Sequence, residues 1–212
     1  TTMSDNLSPN LTDSITQETY ALFPTPVTRY HLRNHDDIKK QILDWMKEQQ
    51  ILPQNPRQAI CHNVAQIGPN NAPTNDIPDL TKSLLEAVDF HNANASAYQS
   101  NFQISDSYLE LANEGAIYAP HEHSNCIYSL TYFVNFQDST QHSFLKFRKN
   151  VASNHYPILQ LDSDTPTAYN LTEATFNMEE GDVIIYPSNL THGFDSNPQQ
   201  DRITLTANII TA

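Results

Sequence analysis

The chain has 212 residues, of which 38% are hydrophobic, and a formal net charge of −13 from 11 Lys and Arg against 24 Asp and Glu. A chain of this size and apolar content can bury one core, which favours a single domain. The negative charge would repel phosphate groups, so neither nucleic acid nor an anionic membrane surface is an expected partner.

The N-terminal segment, positions 1–18, is polar and shows no periodicity. We therefore predict a flexible arm at 1–18 and one domain over 19–212. The sequence contains neither an apolar run long enough to span a membrane nor a charged and apolar leader, so a cytoplasmic protein is expected. Two cysteines, Cys61 and Cys126, are too few for a disulfide framework and are expected to be free thiols.

Two helices are predicted in the first half of the chain. Over 36–48, apolar side chains recur at helical spacing, namely Ile38, Ile42, Trp45 and Met46. A second helix is predicted over 78–91, with Asp76 as its cap. The stretch between them, 53–78, is rich in Pro, Asn and Gln, which predicts a long loop of the kind that often covers a site.

From position 102 onward the pattern changes to short β-rich runs separated by polar turns. The predicted strands cover 102–111, 116–123, 127–136, 143–148, 156–161, 174–178, 183–186, 191–194 and 202–210. Many short strands at regular intervals favour a mainly β sandwich or barrel with flanking helices. The segment 148–172 is predicted to be a surface hairpin.

Three histidines lie at predicted strand ends. His121 and His123 alternate in an extended run, so both side chains can point to one side while Glu122 points away. His192 follows the apolar run 181–187, and the fold can bring it beside them. Three imidazoles arranged in this way bind a divalent metal and leave positions open for small molecules. Arg202 would then offer a planar fork for a carboxylate beside the metal.

Taken together, these segments resemble the iron(II)- and 2-oxoglutarate-dependent oxygenases, in particular those of tailed phages and marine bacteria. Residues 21–27, ALFPTPV, look like the opening strand of that family. Residues 121–125, HEHSN, and the run 129–134 are similar to its metal strand and the strand after it. The run 181–188 leading to His192, and Arg202-x-Thr204, look like its distal-ligand and co-substrate strands.

The resemblance implies a double-stranded β-helix, or jelly roll, of the prolyl-hydroxylase-like kind. It implies that His121, His123 and His192 bind iron(II), and that Arg202 and Thr204 hold the far carboxylate of 2-oxoglutarate. Relatives often carry a tyrosine at the position of Phe133, so Tyr118 or Tyr132 is expected to supply that hydroxyl. The implied activity is hydroxylation of a C–H bond, with ascorbate as an auxiliary reductant. A phage-encoded enzyme would act in the host cytoplasm.

One ligand departs from most of the wider superfamily, which has Asp or Glu where this chain has His123. With three neutral ligands the metal keeps its double positive charge. Imidazoles also accept zinc, nickel or copper, so the sequence leaves the native metal open.

Two other classes of protein remain compatible with the sequence. A cupin would use His121, His123 and His192 without 2-oxoglutarate. Gly115 and Gly181 precede these histidines at cupin-like spacing, but the glutamate expected soon after His123 is absent. A phage structural or adaptor protein would keep the jelly roll without chemistry. For an enzyme, we expect a peptide or protein side chain as substrate, with a small metabolite as the alternative; a homodimer is compatible with either.

Overall fold

The computed structural model describes residues 24–48, 61–149, 164–165, 167 and 170–212. The predicted arm 1–18 and the predicted strand 156–161 lie outside these residues, as does most of the predicted hairpin 148–172. Among the described residues, no helix is long and apolar enough to cross a membrane.

The helices lie close to their predicted positions. They are α1 (His35–Glu48), the short α2 (Pro73–Asp76) and α3 (Pro78–His91), with one π-helical turn at Asn92–Ser96. The predicted cap of α3 is wrong, because Ile77 occupies the cap position and makes no side-chain cap bond. The Asp76 carboxylate accepts a hydrogen bond from Trp45 Nε1 instead, at 2.8 Å, and so links α2 to α1.

Nine strands of the described residues form one antiparallel sheet. Their bounds are β1 Thr28–His31, β2 Cys61–Ile67, β3 Phe102–His121, β4 Tyr128–Asn135, β5 Leu145–Arg148, β6 Glu173–Ala174, β7 Asp182–Pro187, β8 His192–Phe194 and β9 Arg202–Thr211. The strand order is β1-β7-β4-β9-β3-β8-β5-β6, and β2 pairs with β3 beside this path.

The opening strand and the long loop differ from their predictions. The opening strand predicted at 21–27 is found at Thr28–His31 within the described residues. The loop predicted over 53–78 contains β2 and α2 in its described part, 61–78.

The two strands predicted at 102–111 and 116–123 form the single 20-residue strand β3. Gly115, which lies between the two predicted strands, has a φ of +74° and forms a bulge rather than a chain reversal. The register against β2 shifts there, from His62 opposite Ile117 to Val64 opposite Ala112. One strand therefore runs through the whole site.

Side chains of β4 alternate between two cores. Leu130, Tyr132 and Val134 belong to the helix-side core, in which α1 and α3 pack against the sheet. Phe133 belongs to the inner core, which is formed by strands and the loops between them. This alternation of period two decides which side chains of β4 can reach the inside of the roll.

Candidate metal centre

Three histidines converge at the end of β3. His121 lies directly opposite His192 in the register of β3 and β8. His123 lies just beyond β3, where its backbone N–H donates to the carbonyl oxygen of Ser188 at 2.9 Å. One nitrogen from each ring lies within 4.8 Å of the others, so the three rings could hold a metal ion. The Nε2 atoms of His121 and His123 are 3.2 Å apart.

Hydrogen bonds fix the orientation of each ring. In all three histidines Nδ1 faces an oxygen: Ala119 O for His121 at 2.8 Å, Leu190 O for His192 at 2.8 Å, and Asn208 Oδ1 for His123 at 2.5 Å. Because these oxygens accept, each Nδ1 carries the hydrogen and each Nε2 keeps its lone pair. Three neutral imidazole nitrogens within 4.8 Å of one another are a donor set that a divalent transition metal accepts.

A carboxylate lies behind His123. Asn208, whose Oδ1 accepts from His123, donates from Nδ2 to Asp106 Oδ1 at 2.6 Å. Ser129 Oγ also contacts both His123 Nδ1 and Asn208 Oδ1, at 2.9 Å each. The chain from Asp106 through Asn208 makes Nδ1–H a better donor and the opposite nitrogen a better ligand. The negative charge of Asp106 thus acts on His123 through the side chain of Asn208.

The third imidazole is enclosed by the protein. His192 is 3% exposed. Burial, reinforced by the charges of His121 and His123, lowers the pKa of His192 to about 3. The ring is therefore neutral at physiological pH, which is the state that binds a metal.

Arg202 lies in the interior, at the start of β9. Its guanidinium stacks over the Phe194 ring at 3.8 Å, and Nη1 donates to the Ser143 carbonyl at 3.3 Å and to the Ser143 hydroxyl. Burial lowers the pKa of Arg202 to about 10 and nearby Glu110 opposes this shift, so the group stays charged at neutral pH. Its buried Nε has no partner among the described residues. A buried donor without an acceptor fits an anion-binding group.

Glu110 is a site residue that sequence reasoning missed. It lies on β3 opposite Thr204, is 4% exposed, and lines the cavity that the three histidines also line. Its carboxylate accepts from Gln66 Nε2 at 3.0 Å and from Thr204 Oγ1 at 3.3 Å. Burial raises the pKa of Glu110, while hydrogen bonds from Tyr118 and Gln66 and the charge of Arg202 oppose the shift.

The two candidate tyrosines lie on different sides of the sheet. Tyr118 lines the histidine cavity and stacks on His121. Tyr132 points into the helix-side core, where its hydroxyl contacts His35 Nδ1 at 2.7 Å. Tyr132 therefore does not face the cavity, and the expectation that it contacts a co-substrate needs correction. Tyr118 remains as the candidate.

The sequence of this region matches a known protein family. Residues 106–208 match the sequence model of a family described as "Putative 2OG-Fe(II) oxygenase". The match contains the three histidines, Glu110, Arg202, Thr204 and Asn208. No curated protein matches the chain.

Several solved structures have a similar fold. A Pseudomonas putida prolyl-4-hydroxylase is 13% identical with a TM-score of 0.59, covering 88% of this chain and 92% of its own. HygX from Streptomyces hygroscopicus, with nickel, 2-oxoglutarate and hygromycin B bound, is 12% identical with a TM-score of 0.57, covering 87% and 82%. A Trichoplax adhaerens prolyl hydroxylase in complex with a hypoxia inducible factor peptide fragment is 11% identical with a TM-score of 0.56, covering 87% and 83%. The predicted double-stranded β-helix is confirmed.

Proposed function

Residues 106–208 of this chain match the model of the 2OG-Fe(II) oxygenase family, and on that premise we propose that the enzyme hydroxylates a peptide or protein side chain. In this proposal His121, His123 and His192 bind iron(II). The observation that carries it is the convergence of three Nε2 lone pairs, each held by an acceptor behind its ring.

Iron(II) held by these histidines, together with 2-oxoglutarate, would supply the oxidative chemistry: one atom of dioxygen would enter a C–H bond of the substrate and the other would enter succinate, with release of carbon dioxide. The protein contributes position and enclosure. His121 and His192 fix two ligand directions through one strand pair, and the third follows from the hydrogen-bond chain behind His123.

We propose that Arg202, Thr204 and Tyr118 hold the carboxylate of 2-oxoglutarate that lies away from the metal. The orphaned Nε–H of Arg202 supports this role, because a charge-assisted hydrogen bond to a carboxylate would satisfy it. Arg202 and Thr204 lie two residues apart on β9, so both side chains project from the same face of the sheet. A cupin that does not use 2-oxoglutarate would leave Arg202 without this partner.

A groove lies on the outer face of the strands whose inner face carries His121 and His192. It encloses about 220 Å³ along the backbone of residues 117–120 and the neighbouring strands β5 and β8. The cations on its wall are paired, Lys146 with Asp195 and Arg148 with Glu173 at 2.8 Å. A groove with balanced charge suits a neutral, extended segment. The likeness to a prolyl-4-hydroxylase and to a peptide-bound prolyl hydroxylase agrees with this proposal.

A small-molecule substrate is the second candidate. It is favoured by the likeness to HygX, whose structure contains hygromycin B. The two candidates differ in the product, since one adds oxygen to a protein and the other does not.

Anaerobic titration of the protein with iron(II) and 2-oxoglutarate tests the cofactor assignment. A weak visible charge-transfer band should appear in the wild type and not in His192→Ala. Absence of the band in the wild type would contradict the proposal. Incubation with iron, ascorbate, 2-oxoglutarate and a proteome, followed by mass spectrometry, tests the substrate. Succinate formation stimulated by metabolites, with no oxygen added to any protein, would favour the small-molecule candidate.

A further inference from the structure

The carboxylate of Glu110 engages the groups that are proposed to bind 2-oxoglutarate. Thr204 donates to it at 3.3 Å, Tyr118 is hydrogen-bonded to it, and the positive charge of Arg202 favours its ionised form. The protein thus holds an internal carboxylate in its own anion pocket. A 2-oxoglutarate carboxylate arriving at Arg202 would meet a second negative charge.

Glu110 is fixed in place. It is 4% exposed and lies on β3 between β2 and β9, held by Gln66 Nε2 from one side and by Thr204 from the other. Movement of Glu110 out of this position would break these bonds and leave the buried Nε2 of Gln66 without this acceptor, which is costly. The repulsion between the Glu110 carboxylate and a co-substrate carboxylate is removed more simply if Glu110 takes up a proton, as happens when two carboxyl groups share one site.

Other titratable groups around Glu110 do not replace this proton. Arg202 from β9 stays positive, while Tyr186 from β7 has a pKa raised by burial and by the charge of Glu110 itself. Gln66 from β2 is neutral. The remaining titratable groups of the cavity wall are Tyr108, Tyr118, His121, His123 and His192. The three histidines are occupied once a metal is bound.

We propose that 2-oxoglutarate binds only when Glu110 is protonated, so that co-substrate binding takes up one proton. This inference rests on the proposed function and deepens it. Protonated Glu110 would donate its O–H to the incoming carboxylate, and no covalent bond changes. Burial, which raises the pKa of Glu110, favours the protonated form. Affinity should therefore be highest at low pH and decline as Glu110 ionises.

The test measures 2-oxoglutarate binding to nickel-loaded protein, in which turnover cannot occur. Calorimetry between about pH 6 and pH 9 should show the wild-type dissociation constant rising by up to about tenfold per pH unit above the pKa of Glu110. Glu110→Gln, whose amide keeps the shape and a donor, should bind with nearly constant affinity over this range. Glu114→Gln removes an exposed charge from the same strand and should behave as the wild type.

A measurement on the wild type alone makes the test independent of the variants. Calorimetry in buffers of different ionisation enthalpy should report uptake of close to one proton at the alkaline end of the range. Uptake of no proton at any pH, or the same pH dependence in wild type and Glu110→Gln, would overturn the inference while leaving the proposed function intact. If the wild type and both variants fail to bind 2-oxoglutarate, the proposed function itself is wrong.

Discussion

His121 and His192 face each other across β3 and β8, so a single strand pair joins ligands that are far apart in the sequence. A strand pair fixes the spacing of opposite side chains, which means that this half of the metal centre exists before any metal binds. His123 adds a third direction from the segment beyond β3.

The first prediction concerns the metal. Each alanine substitution, at His121, His123 or His192, should lower nickel or iron(II) affinity by more than about 100-fold. Substitution of a residue that only hydrogen-bonds to a metal ligand already lowers metal affinity by about 10–100-fold. Metal content after gel filtration, together with calorimetric titration, measures this. His62→Ala, an exposed imidazole on β2, is the control and should retain full occupancy. Undiminished metal in all three ligand variants would refute the assignment.

The second prediction concerns the charge behind His123. Asp106→Asn keeps the shape but removes the charge at the end of the Asn208 chain, so metal affinity should fall by about 10–100-fold. Glu114→Gln, which removes a charge from the exposed side of the same strand, should leave metal affinity unchanged. Cobalt(II) absorption, which reports ligand geometry, should shift in Asp106→Asn alone. Equal affinities in the two variants would show that Asp106 has no electronic role.

The third prediction separates the two tyrosines. Tyr118→Phe should weaken 2-oxoglutarate binding, because Tyr118 lines the cavity and its hydroxyl is hydrogen-bonded to Glu110. Tyr132→Phe should leave that affinity unchanged and lower the free energy of unfolding by about 1 kcal/mol, because it loses only the bond to His35. Calorimetry and urea unfolding of both variants measure the contrast. A loss of co-substrate affinity in Tyr132→Phe would contradict the placement of this side chain.

The fourth prediction tests the anion-binding role of Arg202. Arg202→Ala should weaken 2-oxoglutarate binding by about 2–5 kcal/mol while metal binding persists, and Arg202→Lys should restore only part of the loss. Arg33→Ala, at an exposed arginine, serves as the control. Because Arg202 is buried, thermal unfolding must first show that each variant is folded. Unchanged 2-oxoglutarate affinity in folded Arg202→Ala would favour a cupin-type site.

The fifth prediction concerns the close contact between β8 and β3. A Cβ on Gly193 would lie 2.6 Å from the Tyr118 carbonyl oxygen. This oxygen belongs to the backbone of β3, so it cannot turn aside as a flexible side chain would. Gly193→Ala should push β8 from β3, cost about 1–3 kcal/mol of stability and displace His192, lowering metal affinity. Gly115→Ala has open space around it and should cost about 1–2 kcal/mol through its positive φ, with metal affinity retained. Wild-type metal affinity in Gly193→Ala would contradict this account.

Much of the fold and of the candidate site follows from local patterns. The helices were predictable from apolar side chains at helical spacing, and the histidine positions from strand alternation. The same rule excludes Tyr132, because it shares a face of β4 with Leu130 and Val134, whereas Phe133 points inward. Strand alternation therefore leaves Tyr118 as the candidate for the co-substrate hydroxyl.

Glu110 could not be found in the same way. Its partners Gln66 and Thr204 lie 44 and 94 positions away in the chain, so the pocket appears only when β2, β3 and β9 are paired. The strand β2 was not predicted, because it lies in a segment rich in Pro, Asn and Gln, a composition typical of loops. A buried acid in a polar strand has no local signature, since its burial depends on tertiary contacts.

The length of β3 has a consequence for how the molecule opens. This one strand carries Glu110, Tyr118 and His121 and pairs with β2, β8 and β9. Its amide protons should therefore exchange with solvent in a single cooperative unit, since releasing any part of the strand loosens several neighbours at once. Binding of a metal at one end would then slow hydrogen exchange at the other, around Glu110. Metal binding at the histidines would therefore be detected as slower amide exchange around Glu110.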